Sequence, residues 1–153
     1  MRVRASSTAA VAASLTLLAG LTAASADAGT TRELKACWQA PTGNTLPLTI
    51  TVRGPQFGQR TLANGTCKAW DVPAGTYTLT ANATALRTLF NGSPQGREAL
   101  CGKSSFHNFR VYAVISRLGT TRTVLLSESG GSFTVGVKKD RLTRANFRVQ
   151  CSS

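Results

Sequence analysis

Acidic side chains are scarce in this sequence: its 153 residues carry 6 Asp and Glu against 18 Lys and Arg, with a single histidine. That shortage narrows the available chemistry. A glycosidase needs two facing carboxylates, and only Asp27, Glu33, Asp71, Glu98, Glu128 and Asp140 are on offer. A Ser-His-Asp arrangement would have to recruit His107, and no G-x-S-x-G elbow exists to present a serine to it. Zinc is poorly served too, since no C-x-x-C occurs and His107 has no second imidazole to work with. Charged residues make up 16% of the chain and aromatics 7%, the former below the globular norm of about a quarter. With apolar residues at 42%, the composition excludes a disordered polyelectrolyte, a coiled coil and a polytopic membrane protein. One modest globular domain remains, and no cofactor or metal is expected.

The first 26 residues read as a secretory signal peptide. Arg2 and Arg4 supply a positive n-region, the stretch 9–24 is apolar or small and contains Leu15, Leu17, Leu18 and Leu21, and Ala24-Ser25-Ala26 fits the A-x-A cleavage rule. A spanning helix needs roughly 20 apolar residues, more than this stretch provides. The expectation is therefore an exported, extracytoplasmic protein of bacterial type, with a signal at 1–26 and one domain at 27–153. Cys37, Cys67, Cys101 and Cys151 all follow the cleavage site. An even cysteine count in an exported chain reads as disulfides. Four cysteines allow three pairings; Cys37–Cys67 with Cys101–Cys151 is favoured because it staples each half separately, although the spacing by itself leaves the choice open.

Period-two alternation dominates the rest. Leu46, Leu48, Ile50 and Val52 alternate with Pro47, Thr49, Thr51 and Arg53; Tyr77, Leu79 and Ala81 alternate with threonines; Phe133, Val135 and Val137 alternate with Ser132, Thr134 and Gly136; Ala145, Phe147, Val149 and Cys151 alternate with Asn146, Arg148 and Gln150. Each such run is a strand with one buried and one wet face. Phe109 to Ile115 is almost continuously apolar and reads as a central strand. Breakers separate the runs, among them Gly54-Pro55, Asn64-Gly65, Asn91-Gly92-Ser93-Pro94, Gly119-Thr120 and Gly130-Gly131. The one helix expected is short, with Ala85, Leu86, Leu89 and Phe90 at helical spacing. The fold expected is an all-β, disulfide-braced sandwich of seven or eight mostly antiparallel strands. Its core would hold Ile50, Val52, Tyr77, Leu79, Val111, Phe133, Val135, Phe147 and Val149.

The stretch Asp71-Val72-Pro73-Ala74-Gly75-Thr76-Tyr77-Thr78-Leu79-Thr80 resembles the turn-and-strand of prealbumin-like secreted modules, a group that includes the Cna-B type and the carboxypeptidase regulatory type. The resemblance implies a β-sandwich. Some Cna-B modules carry a Lys–Asn isopeptide bond promoted by a buried acid; Lys35 and Asn146 occupy comparable places, but Glu98 or Glu128 would have to serve as the acid, and exposed polar residues are the expectation. Gly96 to Ser104 has a superficial look of a phosphate loop, yet five residues rather than four separate its glycines. The triplets beginning at Asn64, Asn82 and Asn91 match the glycosylation pattern, and turn chemistry is the expectation for them.

Charge is the remaining signal. From Arg97 to Arg148 ten basic residues face three acidic ones, and Lys138, Lys139, Arg141, Arg144 and Arg148 fall within eleven positions. Strand parity puts Arg144 and Arg148 on the face opposite Phe147. The function expected is a non-enzymatic binding, adhesion or structural module with a basic surface for an anionic polysaccharide, lipid or other polyanion. Sequence-specific reading of nucleic acid is not expected, because aromatic stacking platforms are few. Two alternatives are a small hydrolase working through Glu98 and Glu128 or His107, and an inhibitor or effector that docks on another protein.

Overall fold

Alternation of apolar and polar side chains builds two layers in the computed structural model, which describes residues 32–41, 44–138 and 141–153. The signal-like segment 1–26 lies outside the described residues. In chain order the elements are β1 (Arg32–Gln39), β2 (Leu48–Arg53), β3 (Gly58–Leu62), β4 (Cys67–Val72), β5 (Gly75–Asn82), α1 (Thr84–Gly92), α2 (Pro94–Cys101), β6 (Asn108–Arg117), β7 (Thr120–Leu125), β8 (Gly130–Val137) and β9 (Thr143–Ser152). A five-stranded sheet runs β4-β1-β9-β6-β7 and a four-stranded sheet runs β3-β2-β5-β8. Every pairing is antiparallel except β1 with β9. The protein is thus a disulfide-braced β-sandwich, with nine described strands.

The core lies between the layers. Ile50, Val52, Tyr77, Leu79, Val111, Phe133, Val135 and Phe147 are buried there, while Val149 is partly buried against it. Phe133 of the smaller sheet meets Phe147 of the larger with ring centroids 5.8 Å apart, inside the range of favourable aromatic contact. One side of the sandwich closes where Trp70 on β4 lies against Gly58 on β3; a Cβ at Gly58 would collide with the indole Nε1, so no larger residue fits. Tyr77 Oη donates to the Pro73 carbonyl at 2.8 Å, tying the β4–β5 turn to the core, and burial pushes its pKa up.

A second helix follows the expected one. The breaker Asn91-Gly92-Ser93-Pro94 turns out to be the joint between the two: Ser93 caps α2 by accepting from the Gly96 amide at 2.9 Å, Pro94 occupies its first turn, and Gly102 ends it at φ 79°. These are ordinary helix-start and helix-stop signals, and they explain the glycine spacing at 96–102 without any phosphate. Leu86, Phe90 and Leu100 plug the end of the sandwich, with Phe90 4.9 Å from Phe109.

The registers sort the connections into two poles. The helices and the β1–β2, β3–β4 and β7–β8 connections lie at one, and the β2–β3, β4–β5, β6–β7 and β8–β9 turns at the other. In the β6–β7 turn Arg117 pairs with Thr120, leaving Leu118 at φ 53° and Gly119 at φ 77°. A two-residue turn with both central φ values positive favours Asn-Gly, and an ordinary L-residue there costs about 1–2 kcal/mol. Leu118→Asn is therefore expected to stabilise the protein by about 1 kcal/mol, read as a higher denaturation midpoint at unchanged slope; an unmoved midpoint would show that the turn holds no strain.

Candidate functional site

Residues two apart on a strand share a face, so the outward positions of the five-stranded sheet can be followed from strand to strand. On β9 they are Arg144, Asn146, Arg148 and Gln150, between the buried Ala145 and Phe147 and the partly buried Val149 and Cys151. The parallel pairing with β1 sets Lys35 beside Arg144 and Gln39 beside Arg148. The antiparallel pairing with β6 sets Ser116 opposite Arg144, Tyr112 opposite Arg148 and Arg110 opposite Gln150. Four cations from three strands therefore share one face, interleaved with amides and a phenol ring. Glu33 and Asp71 face each other at the β4 flank, where Glu33 comes within 4.0 Å of Lys35 Nζ.

Arg144 is the best-held of the four. Its Nε donates to Asn146 Oδ1 at 2.8 Å, and its Nη2 lies 3.9 Å from Cys67 Sγ. The guanidinium thus lies over the Cys37–Cys67 bridge, which joins directly opposed positions of β1 and β4. Beside it a polar depression of 410 Å³ is lined by Gln39, Thr66, the bridge, Arg144, Asn146 and Arg148. The second disulfide, Cys101–Cys151, ties the end of α2 to β9.

The basic cluster read from the sequence divides in the structure. Arg144 and Arg148 lie on the sheet face, whereas Lys138 and Arg141 are exposed in the β8–β9 connection at the pole. Lys139 lies outside the described residues. Arg110 joins the face without having been singled out in the sequence, and Lys35, considered there only as an isopeptide partner, joins it too. Their outward parity was legible beside Leu34 and Ala36 and beside Phe109 and Val111; what no local pattern carries is the pairing of β1 with β9, more than 100 positions away.

The residues considered for catalysis do not converge. Glu98 is exposed on α2, and His107 is exposed just before β6, with its backbone amide donating to Ser152 O at 3.1 Å. His107 shares the parity of Phe109 and Val111 but stands exposed at the rim, one residue before β6 begins. Glu128, in the β7–β8 turn, lies 3.8 Å from Arg87 Nε and lines a shallow depression with Arg87 and Arg110, which neither Glu98 nor His107 reaches. Lys35 and Asn146 both face outward, away from the apolar interior that would shelter an isopeptide bond. Asn64 does turn work: its Oδ1 accepts from the Ala40 amide and its Nδ2 donates to Asn44 O, both at 2.8 Å. Among the described residues no group of three His, Cys, Asp or Glu is placed to hold a metal ion, and no helix is long and apolar enough to cross a membrane.

No family model and no curated relative matches the sequence. Among solved structures the chain is similar to a bacterial adhesin from Mobiluncus mulieris that contains intramolecular disulfide, isopeptide and ester bond cross-links, at 14% identity and a TM-score of 0.44, over 78% of this chain and 42% of the adhesin. It is also similar to the major pilin of Streptococcus pyogenes, at 11% identity and a TM-score of 0.36, over 78% of this chain and 47% of the pilin. The chain spans less than half the length of either protein, and the likeness is loose enough to assign no family.

Proposed function

We propose that this protein is an exported, non-enzymatic binding module that adheres to anionic polymers through the outer face of its five-stranded sheet. The observation that carries the reading is the convergence of Lys35, Arg110, Arg144 and Arg148 from three strands onto one face. Long cationic side chains on a rigid sheet are presented without the ordering cost that a loop would impose. The neighbouring Gln39, Asn146 and Gln150 can donate to or accept from hydroxyls and sulfates, and Tyr112 offers a ring beside Arg148. The apolar-run signal at 1–26 and the two disulfides support an oxidising, extracytoplasmic setting. The scattering of Glu98, Glu128 and His107 supports a role without catalysis.

Attraction of this kind is largely release of counterions and falls steeply with salt. On immobilised heparin, the triple variant Arg110→Ser, Arg144→Ser, Arg148→Ser is expected to elute at lower salt than the parent protein, and more so than the pole variant Lys138→Ser, Arg141→Ser. With duplex DNA as the polyanion, each cation removed from a phosphate should flatten the log–log salt dependence by about 0.9, so the triple variant should lose about 2–3 in slope. Equal elution of parent and triple variant, at matched folding stability, would reduce the sheet face to a solvated surface.

A further inference from the structure

Four large hydrophobic side chains stand exposed among the described residues, and three of them sit in turns at the same pole: Phe57 at 63%, Leu118 at 56% and Leu142 at 46%. They come from three different turns, β2–β3, β6–β7 and β8–β9, so no single run of sequence accounts for them. Turns ordinarily favour small polar residues. Leu118 departs furthest, since it is apolar, solvent-facing and held at positive φ where Asn or Gly would be relaxed. A strained residue without a packing role is a reason to look for a function.

Charge surrounds these side chains. Leu118 and Leu142 line one depression of 360 Å³ together with Arg117, Arg141 and Arg144. Arg53 and Lys138, both exposed, end β2 and follow β8 at the same pole. Among the described acids, those nearest the pole are Glu33 and Asp71, on β1 and β4, and the sheet order puts β9 between that flank and the β6–β7 hairpin that carries Leu118.

We propose that this pole docks on an anionic lipid bilayer, with Leu118 and Leu142 entering the boundary between headgroups and acyl chains and Phe57 following at the opposite flank. Arg53, Lys138 and Arg141 meet the headgroup phosphates. A few apolar side chains alone bind a bilayer weakly, and so do a few cations; together their contributions add. The arrangement suits lipid better than a protein partner, whose interface needs about 800 Å² of continuous complementary surface per side. Here the apolar tips come from three separate turns and are flanked by charged residues, and a fluid surface can adapt to them. Nor does it suit a soluble polyanion, to which leucines contribute nothing. The proposal stands apart from the sheet face, with Arg144 the residue common to both.

The test is co-sedimentation of the purified protein with vesicles of phosphatidylcholine mixed with phosphatidylglycerol, and with vesicles of phosphatidylcholine alone. The parent is expected to partition onto the mixed vesicles only. The variant Leu118→Asn, Leu142→Ser, whose first substitution relaxes the turn and so protects the fold, should partition roughly tenfold less or weaker still, while its elution from heparin stays unchanged. A Leu142→Trp variant should add emission that brominated lipid quenches. Equal partitioning of parent and double variant, or no binding of the parent to mixed vesicles, would overturn the proposal; heparin elution in the same preparations reports on the sheet face independently.

Discussion

Replacing Phe147 with alanine is expected to destabilise the protein by about 3–5 kcal/mol. The side chain is fully buried, in β9, between β1 and β6 at the centre of the larger sheet. It reaches across the sandwich to Phe133, so truncation loosens the packing of both layers and leaves a void that strands fixed by hydrogen bonds on two sides cannot collapse to fill. Urea denaturation followed by far-ultraviolet dichroism would measure it. The same truncation at Val149 should cost far less, because that residue is smaller and only partly buried. A loss under about 1 kcal/mol for Phe147→Ala would mean that β9 is out by one residue, since a one-residue slip exchanges its two faces; Arg144 and Arg148 would then point inward and the binding face would disappear with the register.

Removing the Cys101–Cys151 bridge should have a comparable effect. It closes a sequence separation of 50 residues, for which the chain-entropy model gives about 4 kcal/mol, against about 3.5 kcal/mol for the separation of 30 at Cys37–Cys67. The double variant Cys101→Ala, Cys151→Ala leaves no unpaired thiol and should lose about that much stability. The loss should show first in α1 and α2, whose remaining hold on the sandwich is the packing of Leu86, Phe90 and Leu100, with Leu89 and the Arg87–Glu128 pair beside them. Amide hydrogen exchange would register it as faster exchange over residues 84–101 than over β6 and β9. Alkylation of the folded parent without reduction should label no cysteine. Quantitative labelling of any one of the four, or exchange rising uniformly through the sheets, would contradict the pairing or the role given to it.

How much of this molecule could be read from its residues depended on the range of the interaction involved. The strands with clean alternation, β2, β5, β8 and β9, carry their burial pattern in their own side chains, since period two and the hydrophobic effect act within a few positions. β7 is harder, because its inward positions include Thr120 and Arg122 and it is an edge strand with little to bury. α2 had its cap, its first-turn proline and its terminal glycine in plain view, and only the density of breakers around Ser93 obscured them.

Residue order alone was enough for the all-β character, for the inward side chains of the main strands and for the even cysteine count. It was also enough to place Arg144 and Arg148 on one face. The parallel pairing of β1 with β9, which sets Lys35 beside Arg144, emerged only with the folded chain. So did the assignment of Lys138 and Arg141 to a pole rather than to that face. The gathering of Phe57, Leu118 and Leu142 at the pole, from turns far apart in the chain, likewise required the fold. The reason is physical: parity is enforced locally by the pleat, whereas strand order and sheet stacking are chosen by whichever long-range pairing buries Trp38, Tyr77, Phe109 and Phe147 together.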